Sequence, residues 1–590
     1  MSEVAKRQIM VRPSLIAAFL VLLTAATAVA QDVSKPPEAA TGFADKTLSV
    51  AGRHMIVAAN PLAASAGLEM LRAGGSAIDA VIATQLVLGL VEPQSSGLGG
   101  GAFLVHWDES EHELKTYDGR ETAPAAAKPD RFLVNGQPMP FNDAVLSGLS
   151  VGVPGVMRLL EVTHKRHGKL PWARLFQPAI QLAQSGFAMP ERLSHLLTAD
   201  KAENFAAAAR DYFFDADGHA KRPGAILKNP AYAATLKVLA EKGAGAFYEG
   251  AIADAIVAAV AAASSLKGDL TLADLAAYQA KERPAFCSGY RDRKICGMGP
   301  PSSGATTIGA TLKLIEPLPQ VQGVRSQMTA AALHAIGEAE KLAFADRSRY
   351  LADPDFVPMP SGLLDDGYLA ERRKMIDPAH AMEKPKAGMP PGLAKRTQGA
   401  DATHENAGTS HVSIVDDWGN AVSMTTTIEA AFGSHLWAGG FLLNNEMTDF
   451  SFRPIDQDGQ PIANAIEPGK RPRSSMAPTL VFGPDGKLEI VTGSPGGSRI
   501  ILFAVKTLVA MLDWGLDAQA AAAIADFGSE GGAFLLEDGP STADAAAALK
   551  GLGHTIVPDA QSSGTHTIAW RAGRLEGGAD PRREGIAIGD

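Results

Sequence analysis

Thr409 follows a glycine at the head of an alternating run, Gly408-Thr409-Ser410-His411-Val412-Ser413-Ile414-Val415-Asp416. A threonine hydroxyl is a weak nucleophile that needs a base beside it. At a chain terminus it carries its own base in the α-amino group, whose reference pKa is ~7.7–8.0. Backbone cleavage after Gly408 would create that amine. Glycine suits such cleavage, because a residue without Cβ lets the hydroxyl approach the preceding carbonyl in a strained conformation. Read alone, the run is most simply an ordinary strand start. A second stretch, Ser494-Pro495-Gly496-Gly497-Ser498-Arg499, offers backbone N–H groups unobstructed by side chains, as stabilisation of a developing oxyanion requires. Read alone it is a tight turn. A phosphate loop would need Gly-Lys-Ser/Thr, which this stretch lacks.

The elements that must position these residues follow from patterning. Residues 411–416 alternate, Asp417-Trp418-Gly419-Asn420 is a turn signal, and residues 421–428 alternate again, which predicts a hairpin. If Asp417, Trp418 and Gly419 form the loop, Asp416 pairs with Asn420 and Thr409 lies opposite Thr427. A slip of one residue would turn that pair to opposite faces. Further strands are predicted at 103–106, 114–117, 479–482, 488–492 and 566–570. Helices are predicted at 61–72, at 76–91 behind a Ser76 cap, at 231–241, 251–263, 328–351, 498–512 and 518–525. Between 377 and 408, Pro, Gly, Lys, Asn and Thr accumulate and apolar periodicity vanishes, as a mobile segment ending in a new chain terminus would require.

The sequence from Gly408 to Asp416, followed by Gly419-Asn420-Ala421-Val422-Ser423, resembles the small-subunit start of the γ-glutamyltransferases, members of the N-terminal-nucleophile hydrolases. Gly74-Gly75-Ser76-Ala77-Ile78-Asp79-Ala80, the run from Val91 to Gly101 and Pro300-Pro301-Ser302-Ser303-Gly304 resemble large-subunit signatures of the same family, in the same order. The similarity extends from about Val50 to the carboxyl terminus.

The resemblance implies an α+β fold, a four-layer αββα sandwich cut into a large subunit of residues 31–408 and a small catalytic subunit of residues 409–590. Thr409 would be both the self-processing and the catalytic nucleophile, Thr427 would hydrogen-bond the new terminus, and the N–H groups of Gly496 and Gly497 would form the oxyanion hole. Arg120, in Asp118-Gly119-Arg120-Glu121-Thr122-Ala123-Pro124, matches the family's carboxylate-binding arginine, helped by Ser474 and Ser475. Glu446 and Asp449 match its ammonium ligands, and Glu429 stands where some members carry asparagine. Three carboxylates would favour a cationic amine. Residues 451–469 differ in length and sequence from the lid segment of several relatives.

With 46% hydrophobic and 20% charged residues, the 590-residue chain has an ordinary globular composition. A net charge of −10 and the lack of a basic stripe interleaved with aromatics argue against nucleic acid as a partner. Lys6, Arg7 and Arg12 precede an uncharged run and Ala28-Val29-Ala30, which reads as a signal peptide over residues 1–30. That run is shorter than the roughly 20 apolar residues of a spanning helix, so no stable membrane anchor is expected. The chain is expected to be exported, and the family habit points to the periplasm.

Cys287 and Cys296 are the only cysteines. Across an Arg291-Asp292 turn they would face each other and could form a disulfide, or serve as two small hydrophobic strand residues. Neither has the histidine or ligand spacing of a catalytic or metal-binding cysteine, and no metal or organic cofactor is expected. The implied reaction is transfer of the γ-glutamyl group of glutathione or related amides to water, amino acids or dipeptides through an ester on Thr409. A glutaryl-type cephalosporin acylase of the same family and a non-catalytic exported solute-binding protein are the alternatives.

Overall fold

The computed structural model describes residues 40–393, 398–403, 405–559 and 561–590; the signal-peptide reading at residues 1–30 lies outside them. Among the described residues, no helix is long and apolar enough to cross a membrane.

Local signals explain the first elements. Asn60 accepts a hydrogen bond from the Leu62 amide at 2.9 Å and Pro61 occupies the first helical position, so the helix Pro61–Arg72 starts where proline is tolerated. Ser76 and Asp79 form a reciprocal capping box at the head of the helix Ala77–Val91. Every residue of that helix is buried, which fits its apolar character on all sides.

Two seven-stranded antiparallel sheets organise the molecule. One runs Ile586–Gly589, Met55–Ala58, Gly408–Val415, Ala421–Glu429, Gly101–Asp108, Glu113–Gly119, Lys281–Arg283. The other runs Ser49–Ala51, Arg574–Ala579, His566–Arg571, Leu488–Gly493, Thr479–Phe482, Arg293–Met298, Ala285–Tyr290. Alternation along each strand divides the core. Met55, Val57, Val105 and Trp107 of the first sheet meet Leu480, Phe482, Val491 and Ile568 of the second in one cluster. Their neighbours Ile56, Ala58, Leu104 and Val412 face the other way, onto the helices Pro61–Arg72 and Ala77–Val91. Val481, Ile490 and Ala569 face helices Gly304–Ile315, Ala330–Tyr350 and Ile500–Leu512. A period of two thus buries both faces of each sheet.

The Gly408–Val415 and Ala421–Glu429 strands form the predicted hairpin, with Val415 opposite Ala421 and Thr409 opposite Thr427. The Asp416 carboxylate fixes the turn by accepting hydrogen bonds from the amides of Trp418 and Asn420, each at 3.0 Å, and it also holds the Ala77 amide at 3.0 Å. This last contact ties the hairpin register to the first turn of a buried helix. In the edge hairpin of the second sheet, Cys287 lies opposite Cys296 and the two are joined by a disulfide.

Between the helix Asp366–Arg373 and Gly408 the described residues contain no helix or strand. They are nonetheless attached to the body. The Gly388 amide donates to Asp346 at 2.8 Å, the Tyr350 hydroxyl donates to the Gly388 carbonyl at 2.6 Å, and the Met382 amide donates to Glu338 at 2.7 Å.

Candidate active site

Thr409 sits at a bulge where the strand register shifts between it and Gly408, and it is almost completely buried. The Gly408 backbone lies so close to the next strand that a Cβ there would meet the Glu429 and Ala430 carbonyl oxygens at 2.5 and 2.6 Å. Only glycine fits. The Thr427 hydroxyl donates to the Gly408 carbonyl at 2.5 Å and accepts from the Glu429 amide at 2.7 Å. The carbonyl preceding Thr409 is therefore oriented by the residue opposite it on the neighbouring strand. Glu429 closes that strand with a φ of +79°, which turns its carboxylate toward the Asn406 amide at 2.8 Å.

Gly497 opens a short helical turn that runs into the helix Ile500–Leu512, and Gly496 stands immediately before it. The positive end of the helix dipole lies there. Gly497 has a φ of +60°, and a Cβ on it would meet the Asn406 carbonyl oxygen at 2.4 Å. It lines a small cavity of about 10 Å³.

That cavity brings together Thr409, Thr427, Glu429, Arg120, Glu446, Asp449, Ser474, Ser475 and Gly497. Of the residues expected to form the site, Gly408 and Gly496 are not part of its lining; Gly496 lies one residue behind, where a Cβ would meet the Phe503 ring at 2.7 Å. The members come from distant positions. Arg120 follows the strand Glu113–Gly119, Glu446 and Asp449 share a single turn, and Ser474 and Ser475 lie before the strand Thr479–Phe482.

Charge dominates the cavity. The Arg120 guanidinium, fully buried, pairs with Glu446 through Nη1 and with Asp449 through Nη2, and donates to the carbonyls of Pro472 at 3.2 Å and Arg473 at 3.0 Å. Glu429 accepts from Asn406 and from the Asn445 side chain. One oxygen of Glu446 and one of Asp449 have no hydrogen-bond partner. Burial holds both carboxyls well above the usual range, opposed by Arg120 and reinforced by neighbouring carboxylates. Burial likewise raises Glu429. For Arg120, burial alone would lower the pKa, and the attraction of Glu446 and Asp449 reverses the sign.

Several residues that line or brace the site escaped the sequence reading. Ser475 Oγ accepts from Arg347 Nη2 at 2.6 Å, and the same guanidinium pairs with Glu405. Burial would raise Glu405, but Arg347 and Arg473 overcome it and hold it low. Glu405 and Asn406 immediately precede the Gly408 region, and nothing in their types distinguishes them from the polar residues around them. Arg347 lies inside a long helix, so no motif marks it. Glu121 is adjacent to Arg120 and was signalled only by that adjacency.

Elsewhere His334, Glu338 and His554 offer ligand atoms within 4.8 Å of one another. The imidazoles hydrogen-bond each other at 2.7 Å, and the Lys341 ammonium lies 2.8 Å from Glu338. Within this cluster His554 Nδ1 is left without a hydrogen-bond partner.

A threonine that shares a cavity with a glycine at a helix start and with a cluster of charged side chains is equipped for acyl transfer from a ligand bearing both signs of charge. Residues 63–590 match the family model for gamma-glutamyltranspeptidase. The chain is 34% identical over 576 residues to a glutathione hydrolase proenzyme of Bacillus subtilis, covering 95% of this chain and 94% of that one. It is also 34% identical over 572 residues to the acylase ACY 1 proenzyme of a Pseudomonas species, covering 94% and 96%. Among solved structures, the cephalosporin acylase of Bacillus halodurans superposes with a TM-score of 0.80 at 27% identity, covering 94% of this chain and 99% of that one.

Proposed function

Because the chain belongs to the gamma-glutamyltranspeptidase family, we propose that it cleaves itself between Gly408 and Thr409 and then transfers γ-glutamyl groups from glutathione and related amides to water or to amino-acid and peptide acceptors. The observation that carries this reading is the cavity in which Thr409 meets both Gly497 and a buried cluster of one arginine and four acids.

Thr409 Oγ attacks the γ-carbonyl carbon and its proton passes to the freed α-amine. The oxyanion is held by the N–H groups of Gly496 and Gly497. Collapse of the tetrahedral intermediate breaks the amide bond and the departing amine takes the proton, leaving an ester on Thr409. Water or an acceptor amine repeats the sequence in reverse. Arg120, with Ser474 and Ser475, receives the α-carboxylate, and Glu429, Glu446 and Asp449 receive the α-ammonium. Arg120 pairs with Glu446 and Asp449, each of which keeps one unpartnered oxygen, so a zwitterion binds by exchanging its own charges for that internal pairing.

In this reading the molecule is a four-layer αββα sandwich, a heterodimer of residues 31–408 and 409–590, exported to the periplasm after loss of residues 1–30. What supports the sandwich is the division of the core among the two sheets and their flanking helices.

The rival is an acylase for glutaryl-type side chains, favoured by the close superposition on a cephalosporin acylase. Against it stand Glu429, Glu446 and Asp449, which would be left beside an uncharged methylene. Initial rates on a γ-glutamyl amide and on the matching glutaryl amide decide between them. We expect kcat/KM to favour the glutamyl compound by at least about 100-fold. A preference for the glutaryl compound would overturn the reading.

A further inference from the structure

Glu121 is completely buried beside the pocket, and neither of its carboxylate oxygens has a hydrogen-bond partner. Arg120 is not that partner: its Nη1 lies 3.8 Å from Glu121 Oε2 and is engaged by Glu446 instead. Glu446 Oε2 is also without a partner, and the two carboxyls flank the same guanidinium nitrogen, Arg120 Nη1. Two ionised carboxylates cannot hydrogen-bond each other, since both are acceptors only. A buried charge with no donor is costly, whereas one proton between the two satisfies both at once.

We propose that Glu121 and Glu446 hold a single proton between them, and that Glu121 is a positioning residue which keeps Glu446 turned toward Arg120 and the ammonium position of the donor pocket. The inference rests on the γ-glutamyl reading of that pocket. The charged and titratable neighbours are Arg120 on the same loop, Asp449 on the Glu446 turn and Glu429 at its strand end, with the Tyr248 and Tyr278 phenols on the side of the helical region. Burial drives Glu121 well above the usual carboxyl range, and the charge of Glu446 pushes it the same way against the pull of Arg120. As pH rises and the proton is lost, two adjacent like charges push Glu446 out of place. Donor binding therefore weakens while the chemistry at Thr409 is untouched.

The test is the pH dependence of KM and kcat for a γ-glutamyl amide in the wild type, Glu121→Gln and Glu121→Ala, from about pH 6 to about pH 10, a span that covers raised carboxyls and the substrate amine. The ratio of wild-type to Glu121→Gln KM cancels the titration of the substrate's own amine. It is expected to rise with pH, by up to about tenfold per unit beyond the pair's titration, with kcat following one profile in both proteins. Glu121→Ala should raise KM throughout, and glutamine, which always has a donor for Glu446, should recover most of that loss. A KM ratio flat across the range overturns the shared proton, whereas absence of turnover by the wild type would overturn the γ-glutamyl reading itself. Should both variants fail to fold, infrared spectroscopy of the wild type at neutral pH serves: a protonated-carboxyl band is expected, and its absence overturns the proposal.

Discussion

Replacing Thr409 by alanine is expected to leave one uncut chain and to lower turnover of a γ-glutamyl amide by at least roughly 10⁴-fold, the scale seen when a catalytic nucleophile is deleted. Both effects follow from one hydroxyl. The Gly408 carbonyl is already held by the Thr427 hydroxyl, and the Gly408 backbone lies tightly against the neighbouring strand. Alanine would keep this scaffold and remove the attacking atom. Thr409→Ser should still cut itself and retain part of the activity, because the oxygen survives. Intact-mass measurement and amino-terminal sequencing check processing, and initial rates check turnover. A Thr409→Ala protein that splits at the same bond would exclude this hydroxyl as the processing nucleophile.

Arg120→Ala carries the second large expected effect. Removing one partner of a buried ion pair strands the other, at a cost of about 3–5 kcal/mol, and here two acids, Glu446 and Asp449, lose their cation together. Their pKa values in the folded protein are raised even with Arg120 present, so without it they rise further. The sign is fixed by linkage. A raised folded-state pKa gives stability that is present below the unfolded value and lost as pH climbs through the folded one. The variant should therefore be nearest to wild type in mild acid and fall progressively behind it as pH rises above the ordinary carboxyl range. Glu405 titrates with the opposite sign, being held low by Arg347 and Arg473, but that contribution is common to both proteins and cancels in the comparison. Urea midpoints of the two proteins across pH measure the difference, and a gap that narrows with rising pH would contradict the assignment of charge in this pocket.

Much of the architecture around the site was legible because its signals are local. The turn at residues 417–420 set the hairpin register, and the helical spacing from Pro61 and the cap at Ser76 set two helix starts without reference to the rest of the fold. The strands Met55–Ala58, Arg574–Ala579 and Ile586–Gly589 were not read. Met55–Ala58 and Ile586–Gly589 are short, and Met55–Ala58 is buried along its whole length, so it shows no polar alternation, while Arg574–Ala579 carries Gly577 and Gly578, which weaken a strand signal. In the site, residues inside recognisable motifs were found, whereas Arg347, Glu405 and Asn406 were not. They act through partners far away in sequence, such as Ser475 and Glu429, and a pairing of that kind leaves no periodicity. The mutual pairing of Arg120 with Glu446 and Asp449 was equally invisible. Sequence resemblance pointed to each as a ligand for substrate, but only the folded chain brings them into contact with one another.

The central claim is that a γ-glutamyl ester forms on Thr409, and acid-quenched intact mass after rapid mixing with a γ-glutamyl amide tests it most directly. We expect a fragment beginning at Thr409 to gain the mass of one glutamyl group during turnover and to lose it when the donor is spent. Steady turnover by a cleaved enzyme whose Thr409 fragment never gains that mass, with any adduct found on another residue, would contradict the account.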